Sequence, residues 1–146
     1  MRLDPLYRLE FDYPESWRVD LGSEEQHFFV AEGRATGFLT GRFRGANHPR
    51  RRADGTFCPD FQGVIETDDG ATVFVDMQGY GRAYPEGRRQ VVAASTHLSD
   101  DERYRRLNDA VCVCTGEVWA RGGPGMNVVL DVAELVWEPF ADEPGA

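Results

Sequence analysis

Apolar and polar residues alternate with a period of two along most of this chain, which predicts β-strands. In the first strand Leu9, Phe11 and Tyr13 alternate with charged residues, and we expect Pro14 to end it. Asp69-Gly70 predicts a tight hairpin turn, and we expect further turns at 86–87 and 122–125. The predicted strands cover residues 6–13, 26–31, 33–45, 61–67, 71–80, 89–98, 111–121 and 127–137.

One segment departs from this alternation and predicts a short helix over residues 99–109. Ser99 followed by Glu102 has the spacing of a capping box, in which each side chain bonds the other's backbone N–H group. Acidic residues occupy the first turn and arginines follow, which suits the helix dipole. We expect this helix to close one mouth of a barrel.

Four glycines recur at every fourth position, at Gly33, Gly37, Gly41 and Gly45. Even spacing in a strand places them on one face, where the backbone of a neighbouring strand can approach closely or the strand can bend. About eight closely spaced strands can form an antiparallel barrel wide enough for a small ligand. An immunoglobulin-like sandwich is the alternative, but the glycines and long strands favour the barrel.

Charge and length narrow the functional classes. The 146 residues predict a single β-barrel domain over 1–146, with residues 139–146 as a flexible tail. The net charge is −9, and all sixteen basic residues are arginine, so we expect no nucleic-acid or anionic-membrane partner. No apolar run has the length of a membrane span, no hydrophobic signal core opens the chain, and three cysteines form no disulfide framework. We therefore expect a cytoplasmic protein, with homo-oligomerisation left open.

Several ordered motifs resemble the family of small barrels known as domain of unknown function 3237. The most specific is Arg103-Tyr104-x-x-Leu107-Asn108, and the glycine series and the segment 67–71 also match. The resemblance implies a lipocalin-like barrel of the allene-oxide-cyclase type. Similar barrels include cyclases and isomerases of secondary metabolism, so it also implies, by analogy of fold, chemistry of that kind.

Three places depart from the pattern of that family, one of them the pair before the helix, usually an aromatic and then an acidic residue, which is His97-Leu98 here. An acidic–aromatic pair that often follows the glycine series is Asn47-His48 here, and an aromatic residue of the helix motif is Arg106. If family members use those groups for chemistry in the lumen, we expect this chain not to carry out that chemistry in the same way.

Candidate catalytic residues come from the histidines and from carboxylates on strand faces. His97 precedes the predicted helix and His48 follows the glycine series, so either could transfer a proton at a barrel mouth. Asp76 becomes a buried acid or base if its strand face, shared with Phe74 and Gln78, lines the lumen. The opposite face of that strand is more apolar, and the sequence does not decide which face is inside.

Further candidates lie on the later strands and on the helix. Glu117 and Trp119 share a strand face, where the carboxylate could protonate a substrate or pair with an arginine at an edge. Arg103, Tyr104 and Asn108 belong to the helix motif and are candidate ligand-binding residues, although anchoring the helix is the favoured role.

A metal site is the less favoured alternative. Cys112 and Cys114 with Cys58 and a histidine could form a tetrahedral set, but structural zinc sites usually carry Cys-x-x-Cys loops. We expect no metal and no cofactor. The sequence thus predicts an all-β, antiparallel eight-stranded lipocalin-like barrel with one short helix. Its expected function is cofactor-free cyclisation or isomerisation of an apolar or polyketide-like metabolite, or else small-ligand binding without catalysis.

Overall fold

A computed structural model describes residues 1–85, 87–120, 126–143 and 145; the predicted turns at 86–87 and 122–125 lie wholly or partly outside them. The described residues form ten strands and one 3₁₀ helix. The strands are β1 (Arg2–Asp20), β2 (Glu25–Gly37), β3 (Gly41–Asn47), β4 (Arg50–Arg51), β5 (Phe57–Cys58), β6 (Asp60–Thr67), β7 (Thr72–Tyr84), β8 (Arg88–Leu98), β9 (Cys112–Ala120) and β10 (Met126–Val136); the 3₁₀ helix is Arg105–Asp109.

Eight of these strands close into an antiparallel barrel. Each strand in the cyclic order β1-β2-β3-β6-β7-β8-β9-β10 pairs with both neighbours, and β10 returns to β1. Closure removes exposed sheet edges, which would otherwise recruit other chains. The prediction of an all-β antiparallel barrel is confirmed.

Strand alternation decides which side chains enter the lumen. On β7 the side chains of Val73, Val75 and Met77 are buried, while Asp76 and its neighbours on the other face are exposed. The register pairs Val75 with His97 on β8, so His97 faces inward as well. The apolar face of β7 is therefore inside.

Three of the predicted strand assignments were wrong. Residues 33–45 are not one strand, because they contain the end of β2, a connection at 38–40 and the start of β3. β1 does not end at Pro14 but continues to Asp20, because the register with β2 shifts between Asp12 and Glu15 and the proline lies within that irregularity. A bulge accommodates proline, which has no N–H group to donate to the ladder. The arginine-rich loop, residues 46–59, also contains the short β4–β5 hairpin, which joins β2 to β7.

The glycine at position 33 shows why the barrel wall needs a missing side chain. A Cβ atom built there would lie 2.0 Å from the carbonyl oxygen of Glu10 on the paired strand. Only glycine permits this approach, so the predicted close contact of backbones is confirmed at this position.

The predicted α-helix over 99–109 is a turn followed by the 3₁₀ helix Arg105–Asp109. The Ser99 hydroxyl donates to the Thr72 carbonyl and accepts from the Asp101 N–H, which lies two residues on rather than three. The capping box therefore does not form, since its serine instead ties the turn to the start of β7. The compact segment 99–110 still covers one end of the barrel through buried Tyr104 and Leu107.

The barrel consequently has two different ends. The closed end lies under segment 99–110 and contains His97, and the open end contains Tyr13, Asn47 and Arg89. Within the described residues, no helix has the length and apolar character needed to cross a membrane.

Candidate functional site

The lumen contains an apolar cavity of about 80 Å³ towards the open end. Its walls are almost entirely hydrocarbon and aromatic, with three polar side chains among them. The lining residues are Phe11, Tyr13, Phe29, Asn47, Pro49, Phe57, Pro59, Phe61, Met77, Gly81, Arg89, Val91, Ala93, Val118, Val128 and Leu130.

The cavity exists because small residues face large ones across the lumen. On β7 and β8 the inward positions Gly81 and Ala93 leave space that bulkier residues would fill. On the opposite wall Phe11 packs against both Phe43 and Phe61, with ring centroids 5.2 and 5.3 Å away. The aromatic wall is therefore rigid, and the free volume lies beside it.

Tyr13 and Asn47 form the polar pair of the cavity. The Asn47 side-chain amide donates to the Tyr13 hydroxyl at 3.1 Å, and its carbonyl oxygen accepts from the backbone N–H of Asp60. Because the Tyr13 hydroxyl acts as an acceptor in this pair, its own proton is available for a ligand. The Tyr13 ring stacks on Phe29 at 4.4 Å between centroids, which fixes its position.

Burial raises the pKa of Tyr13 to about 12, although the Asn47 hydrogen bond and the nearby Arg89 charge act in the opposite direction. The phenol therefore keeps its proton at neutral pH. A protonated hydroxyl in an apolar cavity is a good donor to a carbonyl or developing enolate oxygen.

Arg89 is half-buried on β8 and is the one charged side chain among the described residues that line the cavity. Its guanidinium carbon lies 3.7 Å from the centroid of the Phe57 ring, a cation–π contact with the β4–β5 hairpin. Burial lowers the pKa of Arg89, and the neighbouring Arg51 charge lowers it further. The arginine stays charged at neutral pH, so it makes the electrostatic potential in the cavity positive.

His97 lies at the closed end, away from the cavity. Its Nε2 is 2.7 Å from the Tyr7 hydroxyl, and its Nδ1 is 3.8 Å from the Cys112 thiol. Only 4% of the residue is exposed, and burial lowers its pKa to about 4. The imidazole is therefore neutral at physiological pH.

One inward layer separates His97 from the cavity. Along β8 the inward positions after Ala93 are Ser95 and His97, so His97 lies about 13 Å along the strand from Ala93. The Cys114 thiol, 3.3 Å from the Ser95 hydroxyl and 3.7 Å from the Met77 sulfur, fills the intervening level. A proton exchanged by His97 therefore has no direct route to a ligand in the cavity.

The candidates on β7 lie on the outer surface. Asp76, Gln78 and Phe74 are all exposed, with Phe74 58% accessible, because the valine–methionine face turned inward. The buried carboxylate considered for Asp76 therefore does not exist.

Glu117 and Trp119 also face outward, since Cys112, Cys114 and Val118 occupy the inward positions of β9. The Arg88 guanidinium lies 3.5 Å from the Trp119 ring centroid and 3.8 Å from the Glu117 carboxylate. Of the two roles considered for Glu117, the structure shows the second, in which its carboxylate pairs with an arginine instead of facing a substrate.

His48 is exposed on the outside near the open end, where its Nε2 lies 2.9 Å from the Gln26 side-chain oxygen. The expectation that His48 and His97 share a mouth was wrong. Residue 48 follows an inward-facing Asn47, so strand alternation turns its side chain outward.

The motif residues Arg103, Tyr104 and Asn108 contact other parts of the chain. Tyr104 donates to Asp69 at 2.6 Å, Arg103 pairs with the same carboxylate at 3.0 Å, and Asn108 bonds both the N–H and the carbonyl of Ser99. The two contacts with Asp69 fasten segment 99–110 to the β6–β7 turn, and the Asn108 bonds hold the segment itself together. The favoured anchoring role agrees with this geometry, and none of the three lines the cavity.

No group of three or more His, Cys, Asp or Glu side chains is arranged to hold a metal in the part of the chain that the structure describes. Cys112 and Cys114 are buried inside the barrel, and Cys58 lies on β5. Burial raises the pKa of the Cys112 thiol to about 11, which keeps it protonated.

Sequence reasoning missed Tyr13, Asn47 and Arg89 as a group. Tyr13 was visible as the last inward residue of an alternating strand, and Asn47 stood out only as a departure from a family pattern. Nothing in the sequence marked Arg89 as a site residue, because the residue before it, Arg88, is also arginine. Only the folded barrel shows that Arg88 faces outward and Arg89 faces the cavity.

A family model described as "Protein of unknown function (DUF3237)" matches residues 1–135. A comparison with curated proteins found no match.

Solved structures with this fold come from several organisms. A β-barrel-like protein from Acinetobacter baumannii is 21% identical, with a TM-score of 0.77, and the match covers 91% of this chain and 94% of that one. A protein of unknown function from Clostridium acetobutylicum is 15% identical with a TM-score of 0.81, covering 93% and 100%. A structure described as an enzyme from Penicillium herquei is 20% identical with a TM-score of 0.64, covering 90% and 93%. These likenesses show the shared barrel fold.

Proposed function

From the premise that this chain belongs to the DUF3237 family of barrels, we propose that it binds a small, mostly apolar metabolite in the open end of its lumen. The observation that carries the proposal is the cavity lined by aromatic and aliphatic side chains, with a few convergent polar groups. Ligand sites in proteins usually combine these two properties, the apolar wall giving affinity and the polar groups orientation. A polyketide-like aromatic compound fits this description.

The size of the cavity limits the ligand. A volume of about 80 Å³ holds one slender apolar group, and the ligand's polar end then lies towards the mouth near Tyr13 and Arg89. The neutral probe trans-cinnamamide matches this shape, with a phenyl ring at one end and a polar group at the other.

The test fills the cavity with a larger side chain. Ala93→Leu adds bulk to an inward position of the cavity wall, and Ala94→Leu adds the same bulk to the exposed face of the same strand. Calorimetric titration with trans-cinnamamide is expected to show binding to the wild type and to Ala94→Leu, and at least tenfold weaker binding to Ala93→Leu. Equal affinity of all three proteins contradicts the lumen as the site. Native mass spectrometry of the purified protein then identifies any retained metabolite.

A second candidate function is cyclisation or isomerisation through an enol or enolate, and Tyr13 is the observation that favours it. Its pKa of about 12 keeps the hydroxyl protonated, and Asn47 occupies its oxygen, so the proton can bond a substrate carbonyl. Stabilising the oxygen of an enolate in an apolar site lowers the barrier to removal of an α-proton by water. One neighbouring structure with the same fold is described as an enzyme, which accords with this candidate.

The catalytic candidate is tested by α-proton exchange of 4-phenylbutan-2-one in D₂O, followed by proton NMR. The expected result is exchange faster than in buffer, reduced at least tenfold by Tyr13→Phe, which removes only the donor. Asp76→Asn, on the exposed face, serves as the control and retains the wild-type rate. Exchange equal to buffer, or unaffected by Tyr13→Phe, leaves the chain as a binding barrel.

A further inference from the structure

The arginines around the open end differ in whether a carboxylate neutralises them. Arg51 pairs with Glu25 at 3.6 Å, Arg52 with Asp54 at 2.8 Å, and Arg88 with Glu117 at 3.8 Å.

Arg89 differs from these three. Among residues 1–85, 87–120, 126–143 and 145, no carboxylate lies within 4.0 Å of its guanidinium, and the ring of Phe57 covers one face. It is also the arginine that lines the cavity.

A half-buried cation that has no carboxylate partner among the described residues has a cost that a ligand can offset. Burial penalises the charged guanidinium, as the lowered pKa of Arg89 shows, and a cation–π contact recovers only part of the lost hydration. A carboxylate brought in by a ligand would replace that hydration with charge-assisted hydrogen bonds, which are stronger than neutral ones. The cavity behind Arg89 is apolar, so the complementary ligand has an apolar body and one anionic end.

We propose that the ligand of the open lumen is a small aromatic or aliphatic monocarboxylic acid, its apolar body in the cavity and its carboxylate held by Arg89. The Tyr13 hydroxyl is the second donor to the carboxylate, because its oxygen already accepts from Asn47 and its proton has no partner among the described residues. This inference rests on the lumen binding proposed above and adds the chemical class of the ligand.

The experiment compares trans-cinnamate with trans-cinnamamide, which differ chiefly in charge. Wild-type protein is expected to bind the acid about tenfold more tightly than the amide, which corresponds to one good charge-assisted contact in a partly desolvated site. Arg89→Gln is expected to remove this preference while keeping amide affinity within about twofold. Arg88→Gln is the matched control, since it removes the neighbouring outer-face arginine and leaves the preference intact.

A measurement on the wild type keeps the proposal testable if Arg89→Gln does not fold. The ¹⁵N–¹H signal of the Arg89 Nε group is expected to shift at least several-fold more at saturation with cinnamate than at saturation with cinnamamide. Equal affinities for acid and amide, or a preference that survives Arg89→Gln, overturn the role of Arg89 and leave lumen binding intact. Failure of both probes to bind the wild type, or binding of both that Ala93→Leu leaves unchanged, overturns the lumen proposal itself.

Discussion

His97 is the residue whose surroundings most strongly change its chemistry. Its folded-state pKa of about 4 lies below the ordinary value of 6.5 because the ring is buried beside Tyr7 and Cys112. Between those two values the unfolded chain binds more protons than the folded barrel, so stability is full above pH 6.5 and decreases as the pH falls towards 4. The same burial that lowers the pKa also withdraws the ring from the cavity, which makes His97 a structural group rather than a proton donor to ligand.

The prediction at this scale concerns the pH dependence of unfolding. From pH 6.5 to 4.5 the wild type is expected to lose about 2 kcal/mol of unfolding free energy through His97. His97→Gln, which can still bond Tyr7, is expected to lose that part of the slope, and the exposed His48→Gln to retain it. Urea unfolding at several pH values measures the difference, and parallel slopes for wild type and His97→Gln would contradict the buried, neutral ring.

At the scale of an element, segment 99–110 closes the barrel without being the helix that its sequence pattern predicted. Ser99 bonds β7 and the nearby Asp101 instead of a helix turn, and Asn108 bonds both backbone groups of Ser99. Side-chain-to-backbone bonds therefore hold this segment in shape, in addition to the burial of Tyr104 and Leu107. Glu102, the second member of the predicted capping box, is exposed and makes no hydrogen bond or ion pair in the described part of the chain.

Paired substitutions distinguish these two arrangements. Asn108→Ala is expected to lower the unfolding free energy by about 2 kcal/mol, because it leaves the N–H and carbonyl of Ser99 without partners. Glu102→Ala is expected to change it by less than about 0.5 kcal/mol. Chemical denaturation measures both free energies of unfolding. A larger decrease for Glu102→Ala than for Asn108→Ala would contradict this arrangement and support the capping box.

At the scale of the whole molecule, the barrel is polarised along its axis. One end is sealed by segment 99–110 and filled by His97, Tyr7 and sulfur-containing side chains, whereas the other retains the apolar cavity. The cause is the distribution of residue sizes along the inward faces, together with the cover that segment 99–110 forms over the closed end. Among the described residues, Arg89 and Phe57 of the β4–β5 hairpin line the cavity at this other end.

This polarity predicts which methyl groups respond to a ligand. On titration with trans-cinnamamide, the NMR signals of Val91, Val118 and Val128 are expected to shift, because all three line the cavity. Val73 and Val132, which are buried but do not line it, are expected to stay within about a tenth of those shifts. Uniform shifts, or shifts largest at Val73 and Val132, would place the ligand elsewhere.

The period-two alternation determined the all-β class and most of the strands, because a strand that is buried on one face leaves a direct trace in the order of residues. It did not separate β2 from β3 within residues 33–45, and it missed the two-residue strands β4 and β5. Family motifs, spread over nearly the whole chain, indicated the same barrel. The glycine at 33 likewise marked a close approach of backbones before its partner was known.

The candidate site was decided only by tertiary structure. Alternation fixes that Asp76 and Val75 lie on opposite faces, but which face is inside depends on closure of the sheet, which the local sequence does not encode. Arg88 and Arg89 are chemically identical, and only their register in the closed barrel places one outside beside Glu117 and the other in the cavity wall. Tyr13 and Asn47 are 34 residues apart and meet because β1, β2 and β3 are neighbours. The sequence by itself thus determined a barrel, and pairing between distant strands decided which residues its cavity holds.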